Sequence, residues 1–277
     1  MAVFIKHVAA KNYRALADLT LDLGEVDVLF GPNGAGKSTL LDVLWFIRDC
    51  AVRGAAEASA TRSHGIGMLF DGVDEDEPLE VSIETNHVTY ALKLSLSSGR
   101  LEAFPGERLR SLHDDVTFID RSPGSTRASF FHAKLQEPVL VSLREPEKLS
   151  LTRYLDFEED AADIAELDRR LRFIRFYPAR TANFRAIKRF GSERGYESWV
   201  FGDGTNLWSV LSNIHNKMAA DDRYATIMGF MRESFPSFKD LVFETTGATS
   251  VYGSFVERGR RKPILASGVS DGHLQML

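Results

Sequence analysis

The residues with the plainest chemistry are Gly31-Pro32-Asn33-Gly34-Ala35-Gly36-Lys37-Ser38-Thr39. They fit the spacing G-x-x-x-x-G-K-[ST] without a mismatch. Glycines at this spacing let backbone N–H groups turn inward around an anion. A helix opening after Gly36 would add its positive end and its free N–H groups. Lys37 supplies a point charge for the β- and γ-phosphates. Ser38 supplies a hydroxyl to Mg²⁺, a hard cation that prefers oxygen. The chemistry is the binding of a nucleoside triphosphate with its metal.

The surrounding elements agree with that reading. Val26, Val28, Leu29 and Phe30 form a nearly apolar run before the loop, which predicts a strand buried on both faces. Leu40 to Ile47 is apolar except at Asp42, which predicts a helix packed inside an α/β domain. A strand, a glycine loop and a helix in that order make the context a phosphate-binding loop.

A second constellation lies at Ala266-Ser-Gly-Val-Ser270-Asp271-Gly272-His273-Leu-Gln-Met-Leu277. Taken alone it reads as a helix N-terminus that Ser270 or Asp271 could cap. With a phosphate loop upstream, a hydroxyl at Ser270 and an open N–H at Gly272 also suit a γ-phosphate.

Together the segments K-N-Y-R-A-L-A-D-L-T-L-D-L, G-P-N-G-A-G-K-S-T-L-L-D-V-L and S-D-G-H-L-Q-M-L resemble the SMC-like, ABC-type ATPases. The closer resemblance is to a bacterial group of "AAA family" ATPases related to recombination-repair and antiphage-defence ATPases. It runs through the whole chain in order. Val269 and Gln275 depart from the leucine and arginine usual in that group's signature. The resemblance implies an ATPase head that pairs face to face around two ATP molecules. Each ATP, with Mg²⁺ on Ser38, would lie between one subunit's Gly31–Thr39 loop and the other's Ser270, Asp271 and Gly272. Arg14 falls where such heads often approach nucleotide phosphate, although a solvated turn arginine has the same look. The family also carries an apolar strand ending in Asp-Glu after the signature, then a histidine. None follows here, so the resemblance implies a head cut short before that strand, its catalytic acids unassigned. Val116-Thr-Phe-Ile-Asp120 lacks the glutamate and precedes the signature.

The remaining pattern fills in the architecture. Val3 to Val8 and Leu19, Leu21 and Leu23 read as strands. Leu79 to Glu84 and Val88 to Leu96 alternate about the turn Thr85-Asn86-His87, an antiparallel hairpin with one wet face. Residues 100–150 hold Pro105, Pro123, Pro138 and Pro146 and are left without assigned elements. A helix is predicted from Glu158, with Ile164, Leu167, Leu171 and Ile174 spaced 3, 4 and 3 apart. Further helices are predicted on Leu207, Leu211, Ile214 and Met218 and over Arg223 to Ser234, with strands at Leu241 to Glu244 and Val251 to Val256. The expected fold is an α/β P-loop NTPase of ABC/SMC-head type, a mixed central sheet with an antiparallel β-subdomain and a helical insertion. The chain is expected to form one incomplete head: a phosphate-loop lobe over 1–98, an insertion region over 99–200, and the start of a signature lobe over 201–277.

Composition narrows the partners. The 277 residues are 44% hydrophobic and 26% charged, with a net charge of −5, so no global positive field draws the chain to nucleic acid or membrane. Any DNA contact needs a local patch. Arg169 to Arg194 is basic and interleaved with Phe173, Phe176, Tyr177, Phe184 and Phe190. It suits either a nucleic-acid backbone with stacked bases or a helix end whose aromatics are core and whose arginines pair with nearby acids. Arg258, Arg260, Arg261 and Lys262 read as a solvated hairpin tip. His64 sits where such heads carry a metal-sensing glutamine, and an ordinary loop histidine is the plainer reading. Cys50, the single cysteine, reads as a small buried thiol in a reducing cytoplasm. The expected state is a cytoplasmic homodimer on ATP binding, without a membrane span, acting on DNA or a protein effector. A nucleotide-sensing module without hydrolysis is the alternative. A small-molecule kinase is disfavoured because the S-D-G-H segment would have no role in one.

Overall fold

A computed structural model describes residues 4–62, 67–71, 77–97, 100–101, 104–158, 161–177, 181–217 and 221–277. The chain divides into two compact units, Met1–Arg175 and Phe176–Leu277.

The first unit is built on hairpins. β1 (His7–Tyr13) and β2 (Leu16–Asp22) turn through Arg14 and Ala15, with Arg14 at φ 50°. α1 (Lys37–Arg53) and α2 (Ala55–Ala60) follow, hinged at Gly54, whose φ of 91° and tight approach to the Glu147 carbonyl suit glycine alone. β3 (Leu79–Glu84) and β4 (Val88–Leu94) pair in the predicted hairpin, with alternate residues buried. The two-residue strands β5 (Leu96–Ser97) and β6 (Arg100–Leu101) form a separate ribbon. The stretch left unassigned from sequence supplies β7 (Gly106–Ser111), β8 (Thr117–Arg121), β9 (Arg127–His132) and β10 (Glu137–Ser142). Its prolines sit where they cost no inner ladder bond: Pro138 is on β10, an edge strand.

These strands make one eight-stranded sheet in the order β10-β9-β8-β7-β4-β3-β1-β2. The central sheet was expected to be mixed, but every ladder among the described residues is antiparallel. Most successive strands are joined by short turns, and a short turn can only reverse the chain. Val26–Phe30 likewise departs from the buried strand expected of it. No ladder pairs it among the described residues, and Val26, Val28 and Phe30 are 85%, 78% and 91% exposed. Apolar composition favours a buried strand only where neighbours exist to cover it, and the hairpin sheet provides none there.

α3 (Ser150–Phe157) and α4 (Ala162–Phe173) complete the unit. Glu158, read as the start of a helix, ends α3 instead, and Ile164, Leu167 and Leu171 face inward from α4 as their spacing predicts. They share a core with Val43, Phe46, Ile47 and Cys50 of α1 and with the sheet residues Val81, Ile83, Tyr90 and Leu109. Inside it, Glu107 and Arg121 pair across β7 and β8 at 3.3 Å with both side chains fully buried. Glu107 accepts from the Tyr90 hydroxyl and from the Ser150 and Leu151 N–H groups. Arg121 donates to the carbonyls of Ser125, Pro146 and Lys148. The buried charges are thus fully hydrogen-bonded, and they fix the start of α3 to the sheet.

The second unit places α5 (Phe184–Phe190), α6 (Leu207–Asn216) and α7 (Arg223–Ser234) with a sheet of β11 (Ser192–Glu193), β13 (Ser250–Glu257) and β12 (Phe238–Thr246), joined by β14 (Ile264–Leu265) on β13. A 3-10 turn over Ala266–Gly268 leads into the short α8 (Asp271–Gln275). Trp208 of α6 is fully buried against β13, with its indole N–H donated to the Ile187 carbonyl. Met218, expected on the α6 face, lies outside the described residues.

Candidate functional site

Gly31, Gly34 and Gly36 adopt φ of 148°, 85° and 83°, backbone that residues with a Cβ rarely enter. Pro32, Asn33, Gly34 and Ala35 are exposed, and a Cβ at Gly34 would meet nothing within 4 Å. The hollow of the loop is therefore open. Gly36 is the N-cap of α1 and no side chain caps the helix, so the first-turn N–H groups of Lys37, Ser38 and Thr39 remain free for an anion. Lys37 folds back over the loop, and its Nζ donates to the carbonyls of Gly31 at 2.9 Å and Pro32 at 2.7 Å. This set of groups fits a phosphate chain, with the Ser38 hydroxyl able to take one position on Mg²⁺.

Asp42, one turn further along α1, gathers a network that sequence reading did not assign. Its carboxylate accepts from the Tyr13 hydroxyl at 2.8 Å, Arg14 Nη1 at 2.9 Å and Arg62 Nε at 3.0 Å. Arg62 also reaches Asp49 at 3.0 Å, and Arg48 pairs with Asp49 at 2.7 Å. Burial, and then Asp42, pushes the Tyr13 phenol far above its ordinary range. Burial opposes the Arg62 charge, but Asp42, Tyr13 and Asp49 outweigh it and hold the guanidinium above its ordinary value. The only sequence signal for this network was Asp42 itself, the lone charge in the apolar run. Arg14 is thus bound to the helix that follows the phosphate loop. The turn that carries it also packs there, since a Cβ on Gly36 would lie 3.0 Å from Leu16 Cδ2.

In the second unit Ser270 occupies the N-cap of α8 but makes no capping bond. Its Oγ lies 2.8 Å from His273 Nδ1, while Asp271 pairs with Lys188 at 2.6 Å. Gly272 is exposed beside them.

The weaker candidates resolve in part. His64 lies outside the described residues. Asp120 is on β8, in the antiparallel sheet, and pairs with Arg108. Arg169 and Arg170 bind Glu166, and Arg172 binds Asp168. Those three follow the structural reading, in which arginines pair with nearby acids. The aromatics do not all follow it: Phe173, Tyr177 and Phe190 are 53%, 53% and 70% exposed. Arg180 lies outside the described residues. Arg258 to Lys262 form the β13–β14 turn, as expected of a hairpin tip. Cys50 is buried, and burial pushes its thiol up. No helix among the described residues is long and apolar enough to cross a membrane.

Comparison with known proteins agrees with the geometry. A 37-residue stretch is 49% identical to an OLD nuclease from Thermus scotoductus, a match covering 13% of this chain and 7% of the nuclease. Residues 28–277 match the family model described as "AAA domain, putative AbiEii toxin, Type IV TA system", so that the phosphate loop, α1 and everything after them fall inside it. The chain is a member of that bacterial AAA-family ATPase group, and the matched region takes in Gly31–Thr39.

Proposed function

We propose that this chain is the ATP-binding and ATP-hydrolysing head of an SMC-like, ABC-type machine that works as a pair. ATP with Mg²⁺ sits in the Gly31–Thr39 loop of one copy and meets Ser270, Asp271 and Gly272 of a second. The observation that carries this reading is the open glycine hollow beneath Lys37 at the uncapped start of α1. Bound phosphate oxygens replace the Gly31 and Pro32 carbonyls as acceptors for Lys37, and the N–H groups of α1 hold the same oxygens. The Ser38 hydroxyl would hold Mg²⁺, whose chemistry there would be to neutralise phosphate charge. Turnover would rest on positioning and charge neutralisation. Arg14 completes the cradle by leaving Asp42 for the phosphates. In the second unit, the exposed Tyr177, Arg185, Arg189, Phe190 and Arg194 support a nucleic acid as what the cycle acts on. DNA repair or defence is the setting that the resemblance to recombination-repair and antiphage-defence ATPases implies.

The test is ATP hydrolysis per molecule against protein concentration, for the wild type and Lys37→Ala, with ATP binding followed in parallel. A rate that rises with concentration and vanishes in the variant supports the composite site. Binding through Lys37 without turnover supports a nucleotide-sensing module instead. Binding that ignores Lys37 overturns the assignment of the loop.

A further inference from the structure

We propose that the second unit carries a site for single-stranded nucleic acid, with one base seated on Tyr196; this rests on the reading above in which a nucleic acid is what the cycle acts on.

The Tyr196 side chain is fully exposed, yet the backbone that carries it is pinned. The Gly195 N–H donates to Ser209 Oγ at 3.0 Å. Asn213 Nδ2 donates to the carbonyls of Gly195 at 2.7 Å and Glu197 at 3.5 Å. Both side chains belong to α6. One residue earlier, the Arg194 N–H donates to the Thr249 carbonyl at 2.8 Å, which ties the segment to the turn between β12 and β13. An aromatic ring left in water gives up the free energy that burial would return. On a backbone already fixed it has little left to order when a ligand covers it.

Beside the ring lies a cleft of about 250 Å³, with Arg194, Tyr196, Ser212, Asn213 and Asn216 in its lining. That is below the roughly 300–1,000 Å³ of sites for drug-sized ligands, and it suits one flat ring system. The lining groups are those that recognise a nucleobase: a ring to stack on, carboxamides that both donate and accept along a base edge, and a guanidinium for phosphate. Asn213 spends only its N–H groups on the loop, so its Oδ1 remains an acceptor. The Ser212 and Asn216 side chains have no hydrogen-bond partner among the described residues. Gly191 abuts the Val251 carbonyl, where a Cβ would lie 2.6 Å away, and Val251 also lines the cleft. This brings Phe190, 70% exposed, and Arg189 to the border, a second platform and a second cation for the neighbouring nucleotide.

A duplex does not fit this surface. Its base faces are covered by their neighbours, and it brings a dense row of phosphates. Glu193 and Glu197 flank Arg194 and Tyr196 in the chain, and Glu244 is exposed on β12. These carboxylates limit the phosphate charge that the surface takes, so stacking carries the binding.

The test is fluorescence anisotropy on the full chain without nucleotide. The probes are labelled oligothymidylate and oligouridylate of about twelve nucleotides, within the roughly 4–16 that one such site covers, and a DNA duplex of the same length. A single strand should bind at least about tenfold more tightly than the duplex. Tyr196→Ala should weaken that binding about tenfold, the scale of one lost base stack, with an unchanged thermal midpoint because the side chain is fully exposed. Tyr196→Phe keeps the ring and should bind as the wild type does. Log affinity should fall with log salt at a slope near about −1.4, two phosphates at about −0.7 each. A preference for oligothymidylate or for oligouridylate assigns the strand as DNA or RNA, and either supports the site. Equal affinity for the duplex, or a Tyr196→Ala variant that binds single strands like the wild type, overturns it. Failure of all three probes to bind also overturns it and leaves the cleft to a protein partner. The Lys37→Ala test reads ATP and not oligonucleotide, so this site can fail while the paired head stands. Binding through Tyr196 in a chain that fails the Lys37 test would keep the site and drop the head.

Discussion

Around Asp42 and Asp49 three guanidinium groups approach two carboxylates, and the three are not equivalent. The side chain of Arg62 is 7% exposed and bridges both acids, stacking on Phe46 at 5.2 Å. Arg48 serves Asp49, while Arg14, at 47% exposure, is the surplus cation. Removing Arg62 strips both acids of their shared, buried partner. Arg62→Ala should cost about 3–5 kcal/mol, the range for breaking a buried pair, and should lower the thermal midpoint clearly. Arg14→Ala removes an exposed pair, worth under about 1 kcal/mol, so stability should hardly change. If Arg14 is released to nucleotide, the same change should weaken ATP binding several-fold. Thermal melts and ATP titrations of the two variants check the contrast. An unchanged ATP affinity in Arg14→Ala would return that residue to the role of a turn arginine. The loop itself was readable from sequence because its glycines and Lys37 act at fixed short spacings. The Asp42 network was not, because Arg62 reaches Asp42 only through the bend at Gly54.

At the scale of elements, close approach decides which residue types are tolerated. A Cβ on Gly253 of β13 would lie 2.1 Å from the Trp208 ring, so α6 can rest on this sheet only over a glycine. Gly253→Ala should destabilise the second unit by roughly 3 kcal/mol or more, the upper range for overpacking. Displacement of Trp208 should appear as a loss of near-UV circular dichroism and a red-shifted fluorescence. Unaltered spectra with native stability would show that α6 can move aside at little cost. Element boundaries were legible where periodicity was strong. The hairpin of β3 and β4 declared itself by clean alternation, and Arg223–Ser234 is the helix its sequence predicts. Strands β7 to β10 were hidden because each is only five or six residues long and lies among prolines and turns. Val26–Phe30 failed in the opposite direction. Apolar composition says what a segment would bury if covered, and nothing about whether a neighbour is there to cover it.

Across the whole molecule, both units place buried tyrosines against acceptors. Tyr13 donates to Asp42, Tyr90 to Glu107 and Tyr224 to Asp240, while Tyr154 donates to the Phe131 carbonyl with Glu158 nearby. Burial is the largest cause in every case, and the neighbouring carboxylate adds to it, so all four phenols are raised above their ordinary value of 10.0, Tyr154 to about 12. A group whose pKa is higher folded than unfolded contributes stability that is intact below the unfolded value. That stability is lost as pH rises toward the folded one. The window therefore opens near pH 10, where the unfolded chain begins to release phenolic protons that the folded chain retains. Between about pH 10 and 12 the urea midpoint should fall steeply, and absorbance of the buried tyrosinates should appear together with unfolding. Four phenols acting in one direction predict a steeper fall than a single group could give. Tyr13→Phe should flatten the alkaline slope, because its loss removes one of the releasable protons, although it also leaves Asp42 short of a donor at neutral pH. A urea midpoint that stays level through pH 11.5 would mean that these hydroxyls ionise freely in the folded chain, and that the Asp42 and Glu107 networks are more open to water than their packing shows.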